Sequence, residues 1–326
     1  MDRREFLLAA AAVPFALTAP PRAFGSGLGS RPLALVTADL ESHVVVLDLS
    51  TGRSLASVPT GPGPRSIESV HGRTAVVAHT QHGVVSLISN GSRGSSLAVR
   101  RELETFAAPR YTAAHPRGAL AYVTDSSNEE VVTLDVGHGR VLWRTAVPGP
   151  ARHVSLSPDG GTLWTSLGST APHIAVLDTR DARRPRLVRT ITPPFLAHDV
   201  VFAPDGDGIW VTSGSEHRVA LYRPGERGPR RVIHADAPPQ HVAFAGEEVF
   251  VASGDDGVVR RHRVDGELLG RVRVPLDSYN VTFGWGSAVT PSLGRGTVTI
   301  LDTSGRIRTL RRVAKAAHDA CIVVAS

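Results

Sequence analysis

From residue 33 onward the apolar residues come in short runs rich in Val, Ile, Leu and Thr, separated by Gly, Pro, Asp and Asn. Such runs predict β-strands, and no long helical pattern appears after the first twenty residues. One kind of run recurs along the chain: L-A-L-V-T, T-A-V-V-A, L-A-Y-V-T, T-L-W-T, G-I-W-V-T, E-V-F-V-A and S-A-V-T. These runs end at Thr37, Ala78, Thr124, Thr165, Thr212, Ala252 and Thr290, with 38 to 47 residues from one to the next. That period suits a repeated unit of four short strands.

Each unit continues in the same way. A polar loop leads to a third strand such as V-V-V-L-D (44–48), V-V-T-L-D (131–135), I-A-V-L-D (174–178) or V-T-I-L-D (298–302). A turn and a fourth strand follow, and the chain then runs back as the first strand of the next unit. That first strand ends in tight turns at Pro158-Asp159-Gly160 and Pro204-Asp205-Gly206, where Gly accepts positive φ at no steric cost. Seven such units predict an all-β, seven-bladed β-propeller with four antiparallel strands per blade. The chain enters on a second strand at Leu33 and ends on a first strand over 320–325, so the C-terminal innermost strand is expected to close the ring. The expected organisation is an export signal over 1–25, a short linker over 26–32 and the propeller over 33–326.

Tyr122-Val123-Thr124-Asp125, the following V-V-T-L-D and the Pro158-Asp159-Gly160 turn resemble the YVTN-type propeller repeat. The resemblance covers nearly all of 33–326 and implies the fold. It implies no single activity, because such propellers include surface, binding and enzymatic proteins. Several copies depart from the pattern, among them the second with Ala78-His79 and the last with Thr290-Pro291.

The N-terminus reads as an address. Arg3-Arg4-Glu5-Phe6-Leu7 resembles a twin-arginine export signal, and a mostly apolar run over 6–17 follows it. That run is shorter than the roughly 20 residues needed to span a bilayer, so no transmembrane span is expected and the mature protein is read as periplasmic or extracellular. Cys321 is the single cysteine, which excludes an intramolecular disulfide. The net charge of +6 does not imply a nucleic-acid partner. Lys315 is the one lysine, the arginines are scattered, and no aromatic platform accompanies them. A monomer is expected.

Candidate chemistry lies where the seven first strands begin, at one mouth of the central channel. Aligned, these entries read Arg65-Ser66, Arg110-Tyr111, Arg152-His153, His198-Asp199, Gln240-His241, Tyr279-Asn280 and His318-Asp319. Arg65, Arg110 and Arg152 fall on consecutive blades and can hold a carboxylate or phosphate, since guanidinium offers a rigid fork of donors. His153, His198, His241 and His318, with Asp199 or Asp319, can bind a divalent metal such as zinc or copper, or act as a general base. A purely structural role for these loop residues competes with both. The repeated Asp48, Asp135, Asp178 and Asp302 are expected to bond turn N–H groups. Trp164 and Trp210 are expected in the core between blades. The favoured expectation is an exported binding or interaction protein that recognises a small anionic ligand or a protein partner at this mouth. The alternative is a metal-assisted hydrolase or lyase, lactonase-like, using the same face. A redox partner is a third reading.

Overall fold

The computed structural model describes residues 31–90 and 96–325. The export signal expected over 1–25 lies outside these residues. Seven four-stranded antiparallel sheets make up the described chain, with no helix. In each sheet the strands run in order from the channel outward, and the sheets form the blades of a propeller. Accordingly, no helix among the described residues is long and apolar enough to cross a membrane.

The ring closes as its repeat order requires. The strand Ala317–Ala325 is the inner strand of the first blade and pairs antiparallel with Arg31–Ala38, with Leu35 opposite Cys321 and Arg31 opposite Ala325. The propeller thus opens at Arg31, two residues ahead of Leu33, because the long closing strand offers partners for Arg31 and Pro32 as well. Free Cys321 is buried in this seam.

The core is divided into layers between neighbouring blades rather than gathered in one centre. One layer joins Val36, Leu47, Val289 and Ile300 across the seam of the seventh and first blades. Another sets Trp164 of the fourth blade against Phe202 and Tyr222 of the fifth. Trp164 and Trp210 are both fully buried, as their strand positions predict, and each such aromatic removes about 150–250 Å² from water. In six of the seven blades the third and outer strands slip register by a bulge, as between Val46 and Leu47. A bulge increases local twist, which suits sheets that must splay from a narrow channel to a wide rim. The third-strand aspartates close their own turns: Asp48 accepts from the N–H groups of Ser50 and Thr51, Asp135 from His138, Asp178 from Arg180 and Asp302 from Arg306.

A repeated hydroxyl links the blades at the mouth. Thr124 Oγ1 accepts from the N–H of Tyr111 in its own blade and donates to the carbonyl of Arg152 in the next. Thr212 does the same between Asp199 N–H and the Gln240 carbonyl, and Thr37 between Asp319 N–H and the Arg65 carbonyl. All three threonines are fully buried, where an unmade hydrogen bond costs about 1–3 kcal/mol. The carbonyls they hold belong to the residues just before Ser66, His153 and His241. The marker threonine of the repeat therefore sets the backbone of the channel mouth.

Candidate metal centre

Side chains alternate along a strand, and the seven entry pairs separate accordingly. The second member of each pair, Ser66, Tyr111, His153, Asp199, His241, Asn280 or Asp319, lines a channel cavity of ≈ 410 Å³. None of the first members lines it. Three rings from three consecutive blades meet: His153 on Ala151–Leu156, His198 just before Val200–Phe202 and His241 just before Val242–Ala245. One nitrogen from each ring lies within 4.8 Å of the others. The ring centroids stand 4.3 Å apart for His153 and His198, 4.8 Å for His153 and His241, and 5.4 Å for His198 and His241. Interplanar angles of 46°, 71° and 82° show that the rings are tilted or edge-on to one another rather than stacked.

Each ring has its Nδ1 side turned to the protein. His198 Nδ1 donates to the Ser169 carbonyl at 2.8 Å. His241 Nδ1 stands 3.5 Å from Asp199 Oδ2, and His153 Nδ1 lies 3.5 Å from Ser166 Oγ. Nε2 is left as the available ligand atom on each ring, and His153 Nε2 is buried with no hydrogen-bond partner. A buried imidazole nitrogen without a partner is unfavourable unless a ligand satisfies it. Carboxylate or carbonyl partners on the far nitrogen are the usual support for metal-binding histidines. The residues present therefore fit a metal: three neutral nitrogen donors suit zinc or copper, and three protein ligands leave one position open. A tetrahedral site with bonds of about 2.0–2.1 Å places its nitrogens about 3.4 Å apart, so the rings would have to draw closer together to hold an ion.

The surroundings disfavour protonation of His153 and His198. Burial pushes the His153 pKa well below the ordinary imidazole range, and the neighbouring His198, His241 and Arg152 add to it. His198 is pushed down to about 4, by burial first and then by His241. Tyr111 covers the site from the side, with its ring 4.2 Å from His153 and 5.5 Å from His241. Asp199 is anchored as well as paired, since it accepts from the N–H groups of Val200 and Val242.

The structure sorts the other expected residues by what they touch. His318 is not part of the triad: its Nδ1 donates to the Arg65 carbonyl, and it sits on the first blade, beyond the seventh from His241. Burial and the Arg65 charge push it down to about 3. Asp319 repeats the Asp199 geometry, accepting from Ala320 and Ile67 N–H groups, and burial raises it to about 6. Gln240 is held by Asp255 and the Gly254 N–H. The Tyr279 hydroxyl donates to Asp255 and Asp277, and Asn280 donates to the His318 carbonyl. Arg65 pairs with Asp39 at 2.8 Å, Arg110 donates to Ser126 Oγ, and Arg152 Nε is buried without a partner.

Gly214 is a site residue that sequence reading missed. It sits at φ +71°, and a Cβ there would lie 2.6 Å from His198 Cβ. Gly214→Ala is expected to displace His198 and weaken metal binding by about 10–100-fold, the range seen when support for a ligand is lost. A chelator competition titration checks this, with an unchanged affinity as the contrary result.

The pH dependence of the metal-free protein follows from opposed shifts. His153, His198 and His318 are depressed, so their contribution is complete above about pH 6.5. It is lost progressively as pH falls below that value, down to about 4 for His198 and about 3 for His318. Asp319, raised to about 6, acts in the opposite direction and gains stability as pH falls from there toward its unfolded value. So does Glu68, which reaches channel water but is ringed by protein and raised by burial to about 7. Thermal stability should therefore decline as pH falls below about 6.5, with Asp319 and Glu68 offsetting part of the loss, and go on declining to about pH 3. Stability that stays constant from about pH 6.5 to about 4 would contradict this assignment.

No protein-family model matches the chain. Solved structures do. Hydrazine synthase from Kuenenia stuttgartiensis is similar at 18% identity and TM-score 0.71, over 83% of this chain and 92% of that one. Apo AztD from Citrobacter koseri is similar at 16% identity and TM-score 0.68, over 91% of this chain and 99% of that one. A functionally unknown protein from Desulfotomaculum acetoxidans reaches TM-score 0.79 at 12% identity, over 89% of this chain and 98% of that one. Likeness at these identities is one of fold, and the chain is a seven-bladed β-propeller whose site is read from its own residues.

Proposed function

We propose that this protein is an exported metal-binding propeller that holds one divalent ion, zinc or copper, at His153, His198 and His241. The convergence of three imidazoles from consecutive blades, with the buried Nε2 of His153 unpartnered, carries this reading. The metal would supply a Lewis-acidic centre with one open position. The chain's own residues hold the rings in place: Ser169 fixes the His198 tautomer, Asp199 orients His241, and Tyr111 shields the site from one side.

Asp199 and Asp319 of the cavity wall are each engaged by two backbone N–H groups. Glu68, in the same wall, reaches channel water, so a metal-assisted hydrolase or lyase with Glu68 as its base stands as the second reading. The export part of the reading is supported by Arg3-Arg4-Glu5-Phe6-Leu7, and the blade pattern keeps its resemblance to YVTN-type repeats.

The test is the metal content of protein recovered from the exported fraction of its native cells. One equivalent of metal per chain is expected, and none in a His198→Ala/His241→Ala variant. Metal-free protein that takes up no zinc or copper on titration contradicts the metal reading. Protein found solely inside the cell contradicts the export reading.

A further inference from the structure

We propose that Arg65, Arg110 and Arg152 form an oxyanion site beside the histidine triad, and that its ligand is a small carboxylate or phosphate which also fills the open metal position. The last clause rests on the metal reading above; the oxyanion site itself does not.

The three arginines hold the same position where three consecutive inner strands begin, Arg65 just before Ser66–Val70, Arg110 on Pro109–Ala114 and Arg152 on Ala151–Leu156, and Arg152 directly precedes His153. Among the described residues, Asp39 is the one carboxylate ion-paired with any of them, through Arg65. Arg110 spends its Nε on a serine hydroxyl. Asp125, in the same blade, is taken up by the N–H groups of Ala107 and Ala108. Arg152 Nε is buried and unpartnered. The three charges are also close enough to act on one another, since Arg152 and Arg65 reinforce the effect of burial in lowering the Arg110 pKa.

Three cations with one ion-paired carboxylate among them repel each other, and the repulsion grows as water is withdrawn. An anion removes that cost. The guanidinium fork matches carboxylate and phosphate oxygens, so the ligand class follows from the donors. Arg152 directly precedes His153 on the strand Ala151–Leu156, and Tyr111, next to Arg110, has its ring 4.2 Å from His153, which places the cationic arc next to the triad. Three neutral imidazoles leave a bound divalent ion with its full charge and an open position. An oxyanion lying between the arc and the ion neutralises both.

Oxalate and inorganic phosphate serve as separate probes, titrated into metal-free and cobalt(II)-loaded protein by calorimetry and visible spectroscopy. Either probe should bind the metal-free protein and bind the cobalt form more tightly, with a change in the cobalt absorption bands. Arg110→Gln and Arg152→Gln should each weaken probe binding by about tenfold or more. In probe-free buffer, Arg110→Gln should bind cobalt at least as tightly as the parent, because a repelling cation is gone. Probe binding that ignores both substitutions, or no probe binding to either form, overturns the oxyanion site. Arginine-dependent binding that leaves the cobalt bands unchanged overturns the shared ligand. If the protein takes up no cobalt, the metal reading fails, and arginine-dependent oxalate binding by the metal-free protein decides the oxyanion site.

Discussion

His153→Leu is expected to lower zinc affinity by more than about a hundredfold while making the metal-free protein more stable. Loss of a supporting partner alone costs 10–100-fold, so loss of a ligand must exceed about that range. The gain in stability has a separate origin. His153 is 1% exposed and its Nε2 has no partner, which costs the folded state about 1–3 kcal/mol. Leucine removes that atom but gives up the ring contact with Tyr111 at 4.2 Å, worth about 0.5–1.5 kcal/mol. The expected balance is a gain of about 1 kcal/mol. Chelator competition and denaturant unfolding of the metal-free variant measure the two halves independently. Lower stability with unchanged zinc affinity would show that His153 is a packing residue.

Removal of residues 317–326 is expected to abolish cooperative folding. The lost strand has nine residues and pairs with Arg31–Ala38 along its length. It also supplies buried Ala317 and Ala320 to one interblade layer, and Cys321 and Val323 to another. Without it, the strand Arg31–Ala38 becomes an open edge, with Leu35 and Val36 exposed to pairing by other chains. Circular dichroism and a denaturation curve would show the loss, with aggregation during refolding. A truncated chain that unfolds with the parent's midpoint would mean the seam does not hold the ring.

The number of blades was legible because each blade repeats the same order of strands, turns and apolar positions, from Leu33 to Val324. The seam was legible for the same reason: a missing first strand at one end matched a spare one at the other. The mouth residues were legible as a set, since they align at the same point of every repeat. Which of them meet was not. His198 and His318 occupy the same place in their entry pairs, yet His198 lies between His153 and His241, whereas His318 is turned to the Arg65 carbonyl. Distance around a ring, rather than residue type, separates them. The role of the marker threonines was hidden too. Thr124 meets the Arg152 carbonyl in the next blade, and sequence shows the repeat of a hydroxyl but not the partner it faces. Gly214 gave no signal beyond its place in a turn, because its need for a missing Cβ arises from His198 packing over it.

The most direct test of the central claim is X-ray absorption at the zinc edge on protein carrying one zinc per chain. Three imidazole nitrogens at about 2.0–2.1 Å are predicted, together with one lighter-atom ligand in the open position. A shell made of oxygen alone, or a spectrum unchanged in His241→Ala, would contradict a metal site built from His153, His198 and His241.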